Sequence, residues 1–100
     1  MTATHHDISV GDTVDVHLDE NLSTGYIWQL TADSSITVTK EFRPDSNDPK
    51  RLGGGGTRVF SLTPTKAGDF HVHFQKRRPW LNDTPTDPTM IQDVYLHVED

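Results

Sequence analysis

Between Asp69 and Gln75, apolar and polar residues alternate without a break: Phe70, Val72 and Phe74 against Asp69, His71, His73 and Gln75. Successive side chains of a strand point to opposite faces, so this is a strand with one face buried and one in water. The same period recurs along the chain. Val14, Val16 and Leu18 alternate with Asp15, His17 and Asp19, and Tyr26, Trp28 and Leu30 share a face opposite Ile27, Gln29 and Thr31. Ile36 and Val38 open a run reaching Phe42, Phe60 and Leu62 share a face after Thr57, and Val94, Leu96 and Val98 face inward opposite Tyr95, His97 and Glu99. Nowhere do apolar residues keep a helical spacing over two turns behind a capping signal. Six or seven short strands at roughly ten-residue spacing, with turn residues between them, predict an all-β sandwich or small barrel.

The segments between the runs carry the less ordinary residues. Gly11-Asp12 ends a short apolar start at Ile8 and Val10, and Asp33-Ser34-Ser35 and Pro64 to Asp69 read as turns. Asn21-Leu22-Ser23-Thr24-Gly25 is poor strand material before Tyr26, Ile27 and Trp28 resume the pattern. From Arg43 to Gly56 the alternation disappears, through a proline-rich stretch and four glycines, Gly53 to Gly56. A third gap runs from Lys76 through Arg78-Pro79-Trp80 to Thr89. Loops of a sandwich gather at its two ends, so these alternate connections are expected at one end and the turns at 33–35 and 64–69 at the other.

A chain of 100 residues makes one domain with a modest core, and residues 1–7 read as a flexible leader. Its net charge of −6 argues against nucleic acid or an anionic membrane surface as the main partner. No stretch is long and apolar enough to span a bilayer. The absence of cysteine removes disulfides and thiolate chemistry. The start lacks the basic and apolar regions of a secretion signal, so the expected location is the cytoplasm or, for a mature form, outside it.

An enzyme has little support. His71 and His73 lie two apart on one strand face and could hold zinc with a third ligand. The pattern places no acidic or third histidine partner, so a solvated face is preferred and neither metal nor cofactor is expected. Asp19-Glu20 and Glu99-Asp100 read as surface carboxylates. Ser23 and Ser61 have no visible base. The four glycines lack the Lys-Ser/Thr and helix of a phosphate loop, and suit a backbone lying flat on another surface. Trp80 follows Pro79, which presents it with little freedom to lose; as an exposed neighbour of Arg78 it is a binding anchor. A Trp80 folded back as a lid on the sandwich is the alternative. Lys50, Arg51, Arg58, Lys76, Arg77 and Arg78 flank the three segments, six of the nine basic residues, giving a positive end on an acidic body.

Three segments together resemble a known family. Asn21-Leu22-Ser23-Thr24-Gly25-Tyr26 is similar to the NPTTG(F/Y) motif of the chagasin-like inhibitors of papain-family cysteine peptidases. Gly53-Gly54-Gly55-Gly56-Thr57 is similar to that family's GxGGT motif, and Arg78-Pro79-Trp80 to its RPW motif. The order and spacing agree, and the likeness runs from Ile8 to Val98, through Phe42-Arg43-Pro44-Asp45-Ser46 and Lys66-Ala67-Gly68. It implies an immunoglobulin-like antiparallel β-sandwich of about seven strands. It also implies that loops 21–26, 53–57 and 76–81 form a wedge filling a peptidase cleft, with Thr24 near the catalytic centre. In that picture the glycines lie along the non-primed side and Trp80 packs on the primed side. Inhibition would be reversible and non-covalent, by a monomer, against a cathepsin L-like or similar enzyme. Leu22 stands where the family has proline, which leaves the first loop less preorganised. Ser23 replaces a threonine but keeps the hydroxyl, and Gly54 replaces a bulkier residue. A non-inhibitory immunoglobulin-like recognition or adhesion module using the same loop end is the alternative.

Overall fold

The computed structural model describes residues 2–21, 25–44, 55–78, 80 and 88–100. Among them seven strands follow in order: β1 (Thr2–Ser9), β2 (Val14–Asn21), β3 (Ile27–Thr31), β4 (Ile36–Pro44), β5 (Gly55–Pro64), β6 (Gly68–Arg77) and β7 (Ile91–Glu99). One turn of 3-10 helix, Pro88–Met90, precedes β7. The strands form two sheets, ordered β1-β7-β6-β3 and β2-β5-β4. Pairing is antiparallel throughout except between β1 and β7, which run parallel.

The alternation fixes which side of each strand is dry. In β2, Val14, Val16 and Leu18 are buried and the residues between them exposed. They meet Trp28, Ile36, Phe60, Leu62, Val72, Phe74, Val94, Leu96 and Val98 in one core between the sheets. Leu62, Val72, Phe74 and Val94 have no exposed surface. Phe60 of β5 and Phe74 of β6 cross the interface with ring centroids 5.1 Å apart and planes tilted by 58°. Side chains of this size contribute about 1.5–3 kcal/mol each when fully buried, so this interface, not local propensity, holds the two sheets together.

Two boundaries differ from expectation. Residues 2–7, read as a flexible leader, form most of β1, with Thr4 opposite Val94 and Ile8 opposite Val98. Within β1, Ile8 is the apolar residue that packs against the core. An edge strand gains its ladder from one neighbour, so β1 needs little apolar sequence and leaves little signal. The glycine run also contributes to the sheet: β5 begins at Gly55, and β4 continues to Pro44, which pairs with Gly56. Pro44 ends an edge strand, a place where its missing donor is tolerated. A Cβ on Gly56 would lie 2.7 Å from the Phe42 ring and 2.9 Å from Pro44 Cα. Glycine is needed there for close approach.

Candidate functional site at the loop end

Register places the three unusual segments together. Asn21, the last residue of β2, pairs with Gly55, and Gly56 pairs with both Glu20 and Pro44. In the other sheet Ile27, the first residue of β3, pairs with Arg77, and Gln75 pairs with Ile91. The expected gathering of these connections at one end is therefore what the strands dictate. Leu22, Ser23, Thr24, Gly53, Gly54 and Pro79, with Lys50 and Arg51, lie outside the described residues.

Beneath this end sits Glu20. It continues the inward parity of Val14, Val16 and Leu18 and is only 2% exposed. The expectation of a surface carboxylate at this position is thus corrected, and extending the β2 alternation by one step would have found it. Its Oε2 accepts the Trp28 backbone N–H at 2.8 Å. Its Oε1 accepts Arg58 Nε at 3.1 Å and Nη2 at 2.7 Å. Trp28 Nε1 in turn donates to the Asp19 carbonyl at 2.8 Å. Because β2 and β3 belong to different sheets, these bonds close the 22–26 connection at its base and tie the sheets. A buried carboxylate would be costly alone; here a guanidinium and a backbone donor satisfy it. Arg58 also lies over the Phe42 ring at 5.1 Å. It is an internal strut, not one of the free rim charges its position suggested.

Above the clamp, Gly25 has φ of +80°, a conformation glycine adopts without strain. The space where its side chain would stand is taken by the indole of Trp80, whose Cζ2 lies 2.9 Å from a built Cβ. Trp80 is nevertheless 66% exposed. Its ring rests on the first connection while presenting most of its surface outward, which disfavours the lid alternative. The Arg78 guanidinium lies 4.8 Å from the centroid of the half-buried Tyr26 ring, a second link between the same two segments. Thr57 is half-buried in β5, opposite Asp19 and Arg43.

His71 and His73 lie elsewhere, on the outer face of the four-stranded sheet. The acidic partner that the pattern did not supply is Asp93, the first buried residue of β7 and directly opposite His73. Burial alone would raise the Asp93 pKa, but hydrogen bonds from His73 and His71 outweigh it and leave the carboxyl below its usual 3.8.

The molecule is thus an all-β sandwich whose unusual segments are braced together at one end. The sequence profile described as "Chagasin family peptidase inhibitor I42" matches residues 7–94. Chagasin of Trypanosoma cruzi is 37% identical over 97 residues, covering 89% of this chain and 84% of that protein. The solution structure of amebosin superposes with a TM-score of 0.77 at 26% identity, over 96% of this chain and 89% of the other. The crystal structure of the cysteine protease inhibitor EhICP2, from Entamoeba histolytica, superposes with a TM-score of 0.75 at 23% identity, over 98% of this chain and 87% of the other. This chain belongs to the chagasin family of peptidase inhibitors.

Proposed function

We propose that this protein inhibits papain-like cysteine peptidases reversibly and without a covalent bond, by inserting its loop end into the active-site cleft. The contact residues in this reading are Asn21, Leu22, Ser23, Thr24, Gly25, Tyr26, Gly53, Gly54, Gly55, Gly56, Thr57, Arg78, Pro79 and Trp80. The observation that carries it is the exposed Trp80 braced on Gly25. A large aromatic held in place but uncovered loses little freedom on docking and matches the residue type that dominates interface energetics. Family membership supplies the target class, and the cysteine-free chain has no thiol with which to form an adduct.

In this reading the clamp below compensates for Leu22 standing where the family has proline. The Glu20 carboxylate and the Asp19 carbonyl both bind Trp28, so the two ends of the connection are fixed. Preorganisation then comes from a tertiary contact in place of a restricted φ. Lys76, Arg77 and Arg78 at the end of β6 add positive charge to this end of an acidic protein, suiting steered encounter with an acidic cleft rim.

Titrating papain and cathepsin L with the purified protein tests the proposal. Stoichiometric loss of activity that recovers on dilution is expected, and full activity at micromolar protein would overturn it.

A further inference from the structure

We propose that the outer face of the four-stranded sheet binds one zinc-class transition-metal ion through His71 Nε2, His73 Nδ1 and an Asp93 carboxylate oxygen. These ligand atoms all lie within 4.8 Å of one another. His71 Nε2 and His73 Nδ1 each stand 2.7 Å from the same atom, Asp93 Oδ1. Two imidazoles from one strand therefore converge on a single point held by the next strand. A tetrahedral zinc bonded at about 2.0–2.1 Å holds its ligand atoms about 3.3 Å apart. Each nitrogen has to move outward from its 2.7 Å distance to Asp93 Oδ1, and no two ligand atoms start more than 4.8 Å apart, so the adjustment is of side-chain size.

Three features suit an ion at this point. The Asp93 side chain is 6% exposed while those of His71 and His73 are 47% and 32% exposed. The anionic ligand is thus fixed from below, and the imidazoles can turn to admit an ion from solvent. His71 stacks on Tyr95 with centroids 4.6 Å apart and planes within 9°, and Tyr95 stacks on His5 at 4.9 Å, so the ring is held by a neighbour across the sheet. Two imidazole nitrogens and one carboxylate oxygen favour zinc, copper or nickel over magnesium or calcium. In the metal-free state each imidazole donates an N–H hydrogen bond to Asp93. On binding, each moves that proton to its other ring nitrogen and coordinates through the freed lone pair, so charge and protons balance. A fourth position faces water. The neighbouring His97 bonds Asp69 at 2.6 Å and approaches Glu99 at 3.7 Å, but with a single imidazole it makes a poorer donor set.

His73 precedes the end of β6 at Arg77 by four residues, about 13 Å of strand. The site is thus separate from the loop end, and its test does not depend on the peptidase reading. Zinc chloride is titrated into the full chain in a non-chelating buffer, followed by calorimetry and by imidazole side-chain NMR. One saturable equivalent is expected, with the His71 and His73 resonances shifting and those of His17 and His97 unmoved. His71→Ala, at an exposed side chain that should not disturb folding, should weaken binding at least about tenfold, as should His73→Ala. His97→Ala should leave binding unchanged, and magnesium chloride should give no saturable heat. Absence of saturable zinc binding would overturn the proposal. So would binding that survives the double variant His71→Ala/His73→Ala or is lost instead with His5→Ala/His6→Ala.

Discussion

The two ends of this sandwich are built by different means. At the turn end the 9–12 and 33–36 connections bond within themselves, and short backbone bonds such as Gly11 N–H to Pro64 O at 3.1 Å link neighbouring turns. Asp33 Oδ1 accepts the Ser35 N–H at 2.8 Å, Asp12 Oδ2 accepts the Ser9 N–H at 2.9 Å, and Ser35 O accepts from Thr65 across to the neighbouring turn. At the loop end the connections are held by side chains that reach between strands and segments: Glu20 with Trp28 and Arg58, Gly25 with Trp80, and Tyr26 with Arg78. Local closure yields a turn with little left to present. Side chains that anchor a connection at its base leave the residues above it available for an outside surface.

The comparison is broken most decisively at Glu20. Glu20→Ala leaves Arg58 and the Trp28 N–H without their acceptor, and should cost about 3 kcal/mol or more of stability, measured by urea unfolding. Peptidase inhibition should weaken with it. A loss below about 1 kcal/mol would mean the loop end does not depend on the clamp.

Next comes Trp80→Ala, which should weaken inhibition by about 2 kcal/mol, roughly thirtyfold, with the thermal midpoint unmoved. If stability fell and inhibition survived, Trp80 would belong to the fold and not to the interface.

A matched pair of glycines then separates the ends directly. Gly25 and Gly11 have similar positive φ, +80° and +89°, but a Cβ on Gly11 meets nothing within 4 Å. Gly11→Ala should show backbone strain alone, about 1 kcal/mol, with inhibition intact. Gly25→Ala should show that strain and also displace Trp80, lowering inhibition. Equal behaviour of the two variants would remove the structural role assigned to the indole contact.

The smallest effect is expected at Asp33, a fully local contact. The Ser35 backbone N–H, followed by the Ser35 hydroxyl, lowers the Asp33 pKa below 3.8. A depressed folded-state pKa contributes stability above the unfolded value and loses it as pH falls through the folded one. The stability difference between wild type and Asp33→Ala should therefore be flat above about pH 5 and shrink below 3.8, with inhibition unchanged throughout.

Strand existence and inward faces were legible because a period of two is a local property and the core residues obey it, from Val14 in β2 to Val98 in β7. The turn end was legible for the same reason, as Asp33 and Ser35 code their own contact. The resemblance in three short motifs identified the family before any geometry was known. What the sequence pattern did not reveal was the residues joined across the fold. Glu20 looked like surface because its acidic type outweighed its parity, and Arg58 like rim because its partner lies 38 positions away. β1 lacked apolar signal because a single edge ladder asks for none. Asp93 became the meeting point of His71 and His73 only through the β6–β7 register. By itself, then, the sequence determined the strands after β1, their dry faces and the family, all written in neighbours along the chain. The tertiary structure alone decided how Trp80 is braced on Gly25 and how Glu20 joins Trp28 to Arg58, because those contacts exist only after two sheets have closed over one core.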